Sequence, residues 1–353
     1  MVERRRTRQV KVGGVRVGGD APISIQSMTK VDTSDVKAVV AQVKRLEAAG
    51  CEIIRVAIKD LDDAAAVKDI KKNIHIPIVC DIHFNYKLAL KCIKSGADKI
   101  RLNPGNMRNK DEITQVVKAA KKAGIPIRIG LNSGSVFARL QPAAINQKVS
   151  LPSALIGSAL AYIKIFEDLD FRDIIVSLKA SDVDTTVEAY RKMARLCDYP
   201  MHLGVTASGS YDQGVIKSSI GLGALLLDGI GDTVRVSLTA DPAEEVIAAK
   251  RILSSVGLRS FGPDVISCPT CGRCQVDLSS IVKQVEDGVK DLGQKFKGIR
   301  IAVMGCEVNG PGEAKDADIG IAFGRASGVI FKKGKIVKKV DVNNAVKELL
   351  KLL

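Results

Sequence analysis

A chain of 353 residues is too long for one small domain and suits a barrel of about 250 residues followed by a domain of about 100. Hydrophobic residues make up 46% and aromatics 4%, with no Trp, so Ile, Val, Leu and Ala must fill the core, as in regular α/β packing. The net charge of +15 admits nucleic acid, an acidic protein or an anionic metabolite as partner, whereas the lack of any apolar run of about 18 residues argues against a membrane span.

The chain opens on a basic run at residues 4–8 that lacks the interleaved aromatics of single-strand binders, so it reads as solvated surface and nucleic acid is not expected. No apolar leader core follows Met1, and a soluble, cytoplasmic protein is expected. From residue 22 onward, short β-rich runs alternate with amphipathic stretches of helical period, the mark of parallel βα units. Eight such runs occur, at 22–28, 52–58, 76–83, 99–104, 125–132, 173–179, 201–207 and 233–238. Helices are expected over 36–49, 64–72, 87–95, 110–123, 151–168 and 187–197, several of them stopped by glycines such as Gly50, Gly96 and Gly124. Eight units are what a closed TIM-type (β/α)8 barrel requires. A doubly wound sheet lacks support, since no G-x-G-x-x-G follows the first run. The long connection 133–150 is expected to act as a lid or binding loop. The alternation stops near Leu238, and 242–256 reads as a closing or linking helix. The expected division is an α/β barrel over 1–255 and a smaller α+β domain over 256–353, whose Lys-rich stretch 331–340 again reads as solvated.

Barrel active sites are built at the C-terminal ends of the strands. Those ends carry Arg55, Asp81, His83, Arg101, Asn103, Arg128, Asn132, Lys179, His202, Thr206, Arg235 and Ser237. Any one of them is as readily a layer residue paired with an acid. As a set, so many cations facing one mouth are costly without an anion, and Arg suits bidentate contact with phosphate oxygens. Phosphate or diphosphate is therefore the expected ligand.

Eight cysteines in a cytosolic chain point to ligands, catalysts or buried small side chains rather than disulfides. Cys51, Cys80, Cys92 and Cys197 lie among apolar residues and read as core. Cys268, Cys271, Cys274 and Cys306 sit beside Gly and Pro turns and read as metal ligands. Structural zinc is disfavoured, because no second ligand follows Cys306 closely. Two cluster readings stand side by side. Four cysteines would make a closed electron-transfer cluster. Cys268, Cys271 and Cys306 with an oxygen ligand such as Glu313 would leave one iron open to substrate.

Taken together, several segments resemble the two-domain, GcpE-type family of bacterial 4-hydroxy-3-methylbut-2-enyl diphosphate synthases of the methylerythritol phosphate route to isoprenoids. They are Pro22-Ile23-Ser24-Ile25-Gln26-Ser27-Met28-Thr29, Cys80-Asp81-Ile82-His83-Phe84, Ile100-Arg101-Leu102-Asn103-Pro104-Gly105-Asn106, Arg128-Ile129-Gly130-Leu131-Asn132, Gly229-Ile230-Gly231-Asp232-Thr233, Cys268-Pro269-Thr270-Cys271 and Asn309-Gly310-Pro311-Gly312-Glu313. The resemblance implies reductive ring opening and dehydration of 2-C-methyl-D-erythritol 2,4-cyclodiphosphate, with two single electrons from ferredoxin or flavodoxin. It also implies a [4Fe-4S] cluster on Cys268, Cys271, Cys306 and Glu313, and a head-to-tail homodimer. Arg55, Arg101, Arg128 and Lys179 would then grip the diphosphate with Asn103, Asn132, His202 and Ser237, while Asp81, His83 and Glu313 serve catalysis. Two departures stand out: Ala207 replaces a family glutamate, leaving Asp212 or His83 as substitute proton donor, and Cys274 lies outside the family's ligand set.

Overall fold

The computed structural model describes residues 2–104, 106–107, 109–134, 150–290, 296–306 and 314–353. The chain divides into two compact units, Met1–Arg259 and Ser260–Leu353.

The first unit begins with an antiparallel hairpin, β1 (Val10–Val12) and β2 (Val15–Val17), which the alternation did not reveal. Eight parallel strands follow: β3 (Ser24–Met28), β4 (Ile53–Ala57), β5 (Ile78–Ile82), β6 (Lys99–Leu102), β7 (Ile127–Asn132), β8 (Ile174–Lys179), β9 (His202–Leu203) and β10 (Thr233–Val234). They run in sequential order from β8 down to β3, then β10 and β9, and a parallel bridge from Val176 to Met201 closes the circle. The helices are α1 (Val36–Ala49), α2 (Leu61–Lys72), α3 (Tyr86–Lys94), α4 (Lys110–Ala123), α5 (Leu151–Asp168), α6 (Val183–Ala194), α7 (Tyr211–Leu227) and α8 (Pro242–Ser255). The expected α/β barrel is thus present. Local chemistry sets the helix ends: the Asp60 carboxylate caps the amides of Asp62 and Asp63, starting α2 three residues before its apolar period, and Asp182 likewise starts α6 early.

The hairpin plugs one end of this barrel. Its Val10, Val12 and Val17 pack on Ile53, Val79 and Ile175, which stand at or near the N-terminal ends of their strands. The basic run expected to be solvated does much of the fastening. Arg5 donates to the carbonyls of Ala194, Cys197 and Tyr199 at 3.2, 2.6 and 2.6 Å, and Arg4 to Ala21 at 2.6 Å and Asp232 at 3.1 Å. Carbonyls left over at the end of α6 need donors, and arginine supplies them. Arg6 and Arg8 are exposed as expected.

In the second unit, β11 (Asp264–Ser267), α9 (Leu278–Lys290), β12 (Arg300–Met304) and β13 (Ile319–Phe323) give a parallel core. The antiparallel strands β14 (Ser327–Lys332) and β15 (Lys335–Asp341) extend it, and α10 (Ala345–Lys351) closes the chain. One apolar core joins the sheet to α9 and α10 through Val285, Val303, Phe323 and Leu349. Along β15 the lysines are exposed, in keeping with the sequence.

Candidate active site

Residues of a strand alternate between the barrel interior and its helical shell. Lys99, Arg101 and Asn103 therefore share the inward side of β6, and Arg128, Gly130 and Asn132 that of β7. Asp81 organises the centre. Its Oδ1 accepts from Arg101 Nη1 at 2.8 Å and its Oδ2 lies 3.7 Å from Arg55 Nε. Burial alone would raise the Asp81 carboxyl, but Arg101 and Arg55 hold it well below the usual carboxylate range. Arg101 also donates to the Gly130 carbonyl at 2.7 Å and meets His83 Nε2 at 2.9 Å. A guanidinium only donates, so His83 Nε2 accepts, and Asn106 Nδ2 lies 3.5 Å from the ring's Nδ1. His83 reaches outward, its side chain 43% exposed.

Lys179 and His202 form a second group. Lys179 Nζ lies 3.2 Å from His202 Nε2, and burial, followed by the charges of Lys179 and Arg128, pushes the imidazole well below its usual value. The histidine is therefore neutral, and its Nε2 accepts from Lys179 Nζ. His202, expected among the ligand contacts, is completely buried against Lys179. Glycines make room for these cations. A Cβ at Gly204 would fall 2.5 Å from Lys179 Nζ and 2.7 Å from the Arg235 carbonyl, and one at Gly130 would overlap Arg101 Nε.

Arg128 is 1% exposed, and its Nε and Nη1 have no hydrogen-bond partner among the described residues. Burial brings Arg55 down to about 9 and lowers Arg128 and Lys179 well below their ordinary values, with neighbouring cations adding to the effect. Asn103 and Asn132 stand at the ends of β6 and β7, and the Ser237 carbonyl accepts from Ser208 Oγ. Ala207 sits exposed on the rim at a left-handed φ of 49°, and Asp212 is exposed in the first turn of α7.

Three polar groups were not anticipated. Glu245 of α8 reaches Lys30 at 3.1 Å and Arg235 at 3.5 Å, a buried carboxylate concealed in the sequence by its helical setting. Met28 Sδ faces Arg55 at 2.9 Å, and Lys99 is buried within reach of the charges of Arg128 and Arg55. For Lys99 the signal was available: two-residue alternation places it with Arg101 and Asn103.

In the second unit, Ser267 pairs with Val303, so Cys268 and Cys306 leave adjacent parallel strands at the same end of the sheet. Both are buried, and Gly305 N–H donates to Cys268 Sγ at 3.2 Å. Thr270, at φ 66°, turns the chain toward the exposed Cys271. Cys274 Sγ donates instead to the Val276 carbonyl at 3.4 Å and packs on Gly305, where a Cβ would lie 2.6 Å away. Among the described residues no three His, Cys, Asp or Glu side chains converge on one point. Glu313 lies outside the described residues, as does 135–149 of the expected lid. The donor chemistry nevertheless suits a cluster: two sulfurs on adjacent strand ends, a backbone N–H aimed at one of them, and a third on the intervening turn. Cys51, Cys80 and Cys92 are buried, and burial raises the Cys51 thiol to about 12.

The solved dihydropteroate synthase of Yersinia pestis is 14% identical and covers 70% of this chain and 98% of its own, with a TM-score of 0.50, a likeness of fold alone. Curated relatives named 4-hydroxy-3-methylbut-2-en-1-yl diphosphate synthase (flavodoxin) are far closer. That of Clostridium perfringens is 52% identical over 352 residues, covering 100% of this chain and 99% of its own. That of Halalkalibacterium halodurans is 54% identical over 353 residues, covering 99% and 94%. The GcpE TIM-barrel domain model matches residues 7–250 and the GcpE protein C-terminal domain model residues 264–353, so the chain belongs to the GcpE family of 4-hydroxy-3-methylbut-2-en-1-yl diphosphate synthases.

Proposed function

We propose that the chain opens the ring of 2-C-methyl-D-erythritol 2,4-cyclodiphosphate reductively and releases water to give 4-hydroxy-3-methylbut-2-enyl diphosphate. The observation that carries this reading is the charge imbalance of the barrel interior. Arg55, Arg101, Arg128, Lys179 and Arg235 face Asp81 and Glu245 alone among the described carboxylates there. A diphosphate supplies the missing negative charge and accepts from the unpartnered Arg128 donors. Asp81 holds Arg55 and Arg101 in place, Lys179 is set by His202, and Asn103, Asn132 and Ser237 complete the substrate contacts. With Ala207 where its relatives' pattern has a carboxylate, His83, held by Arg101 at Nε2, becomes the proton donor.

Cys268, Cys271, Cys306 and Glu313 would hold a [4Fe-4S] cluster, which when bound supplies electrons singly and a Lewis-acidic iron. Cys274, turned to the Val276 carbonyl, packs beside this set without joining it. Flavodoxin, named for the curated relatives, is the electron donor. The family resemblance supports a head-to-tail homodimer that works in the cytoplasm.

The test is anaerobic electron paramagnetic resonance of the reduced protein with and without the cyclodiphosphate, alongside product formation. Substrate should change the cluster signal in the wild type, and Glu313→Gln should alter the substrate-free signal. A signal indifferent to substrate, with no product, would instead mark a closed electron-transfer cluster.

A further inference from the structure

Lys99 is fully buried, yet its Nζ has no hydrogen-bond partner among the described residues. Its backbone pairs with Val79 of the apolar floor, so the aliphatic stem starts toward the plugged end of the barrel. The groups that act on it are Arg128 of β7 and Arg55 of β4, both cations. Asp81 of β5 is committed to Arg101 and Arg55, and His202 of β9 to Lys179. On β3 and β10, Ser24, Gln26 and Thr233 are uncharged, and their side-chain polar atoms are likewise buried without partners among the described residues. Among the described residues no carboxylate pairs with this amine.

We infer that Lys99 is a charge regulator beneath the mouth: an uncharged amine while the mouth is empty, it takes up a proton when a diphosphate binds above it. This rests on the diphosphate reading given above. A buried ammonium among arginines is disfavoured by burial first and by Arg128 and Arg55 next, which is the direction its titration takes. A dianion among those arginines offsets the repulsion, so ligand binding and proton binding favour one another, and each raises the affinity for the other equally. The cyclodiphosphate cannot account for such a proton, because each phosphorus in its ring keeps a single, strongly acidic oxygen. A reaction that consumes protons then begins with one already stored below the substrate.

The experiment is anaerobic titration calorimetry of the cluster-loaded, full-length protein with the cyclodiphosphate. It is run near pH 8 in buffers of different ionisation enthalpy, which counts protons exchanged on binding. The wild type should take up about one proton per site. Lys99→Met should bind with that uptake abolished and with an affinity about tenfold weaker and less dependent on pH. Lys99→Gln, which keeps a polar end in the cluster, guards against a misfolded Met variant and should behave alike. No uptake by the wild type, or unchanged uptake in both variants, would overturn the inference while leaving the diphosphate site intact. Failure of the wild type to bind the ligand at all would overturn both.

Discussion

Asp81 shows how one side chain holds a site together. It is the carboxylate between Arg55 and Arg101, its side chain 6% exposed, so Asp81→Asn leaves two buried guanidinium groups without their counter-charge. Breaking a buried pair in this way costs about 3–5 kcal/mol of stability. The pH dependence follows from the depressed carboxyl. A group whose folded pKa lies below its unfolded value, about 3.9 for Asp, contributes fully above that value and loses its contribution as pH falls through the folded one. Urea unfolding should therefore separate wild type and Asp81→Asn at pH 7 and bring them together as the pH drops below about 4. A gap that persists unchanged in acid would assign the cost to packing instead. At this scale the sequence named most of the charged residues at the mouth, because strand-end position and side-chain chemistry are both visible in one dimension. It did not name Glu245, whose carboxylate reaches the site from a helix far along the chain, nor Lys99, which starts its strand rather than ending it.

Among the elements, the hairpin β1–β2 was hidden because three-residue strands of Val and a basic residue leave no period to read. Its value is tertiary. Val12 is fully buried on the barrel floor, so Val12→Ala should cost about 2 kcal/mol in denaturant unfolding. The mouth is at the opposite end of the strands, so KM for the cyclodiphosphate should stay within about twofold. A large rise in KM would mean that the floor shapes the mouth. The seventh and eighth strands were expected over 201–207 and 233–238, but their regular pairing covers only His202–Leu203 and Thr233–Val234. Beyond those pairs Gly204 yields its side-chain space to Lys179 and the Arg235 carbonyl. Thr206 N–H donates to Ala180 and Ser208 Oγ to Ser237, so loop contacts replace the ladder.

For the whole molecule, the two units have separate cores, the barrel with its plug and the sheet with α9 and α10. A unit with its own core is expected to fold alone. The chain truncated after Arg259 should unfold in one cooperative transition, bind the cyclodiphosphate measurably and form no product. A truncated chain that aggregates or fails to bind would show that the barrel depends on its companion. The sequence by itself determined the barrel class, the cysteine motifs and the excess of positive charge, since periodicity, spacing and charge are properties of the chain before it folds. Only the tertiary structure decided which cations share Asp81, that His202 is buried against Lys179, and that Lys99 is buried with no carboxylate partner among the described residues. Those outcomes depend on which inward faces meet across the barrel, and that is fixed by strand register and packing between residues far apart in the chain.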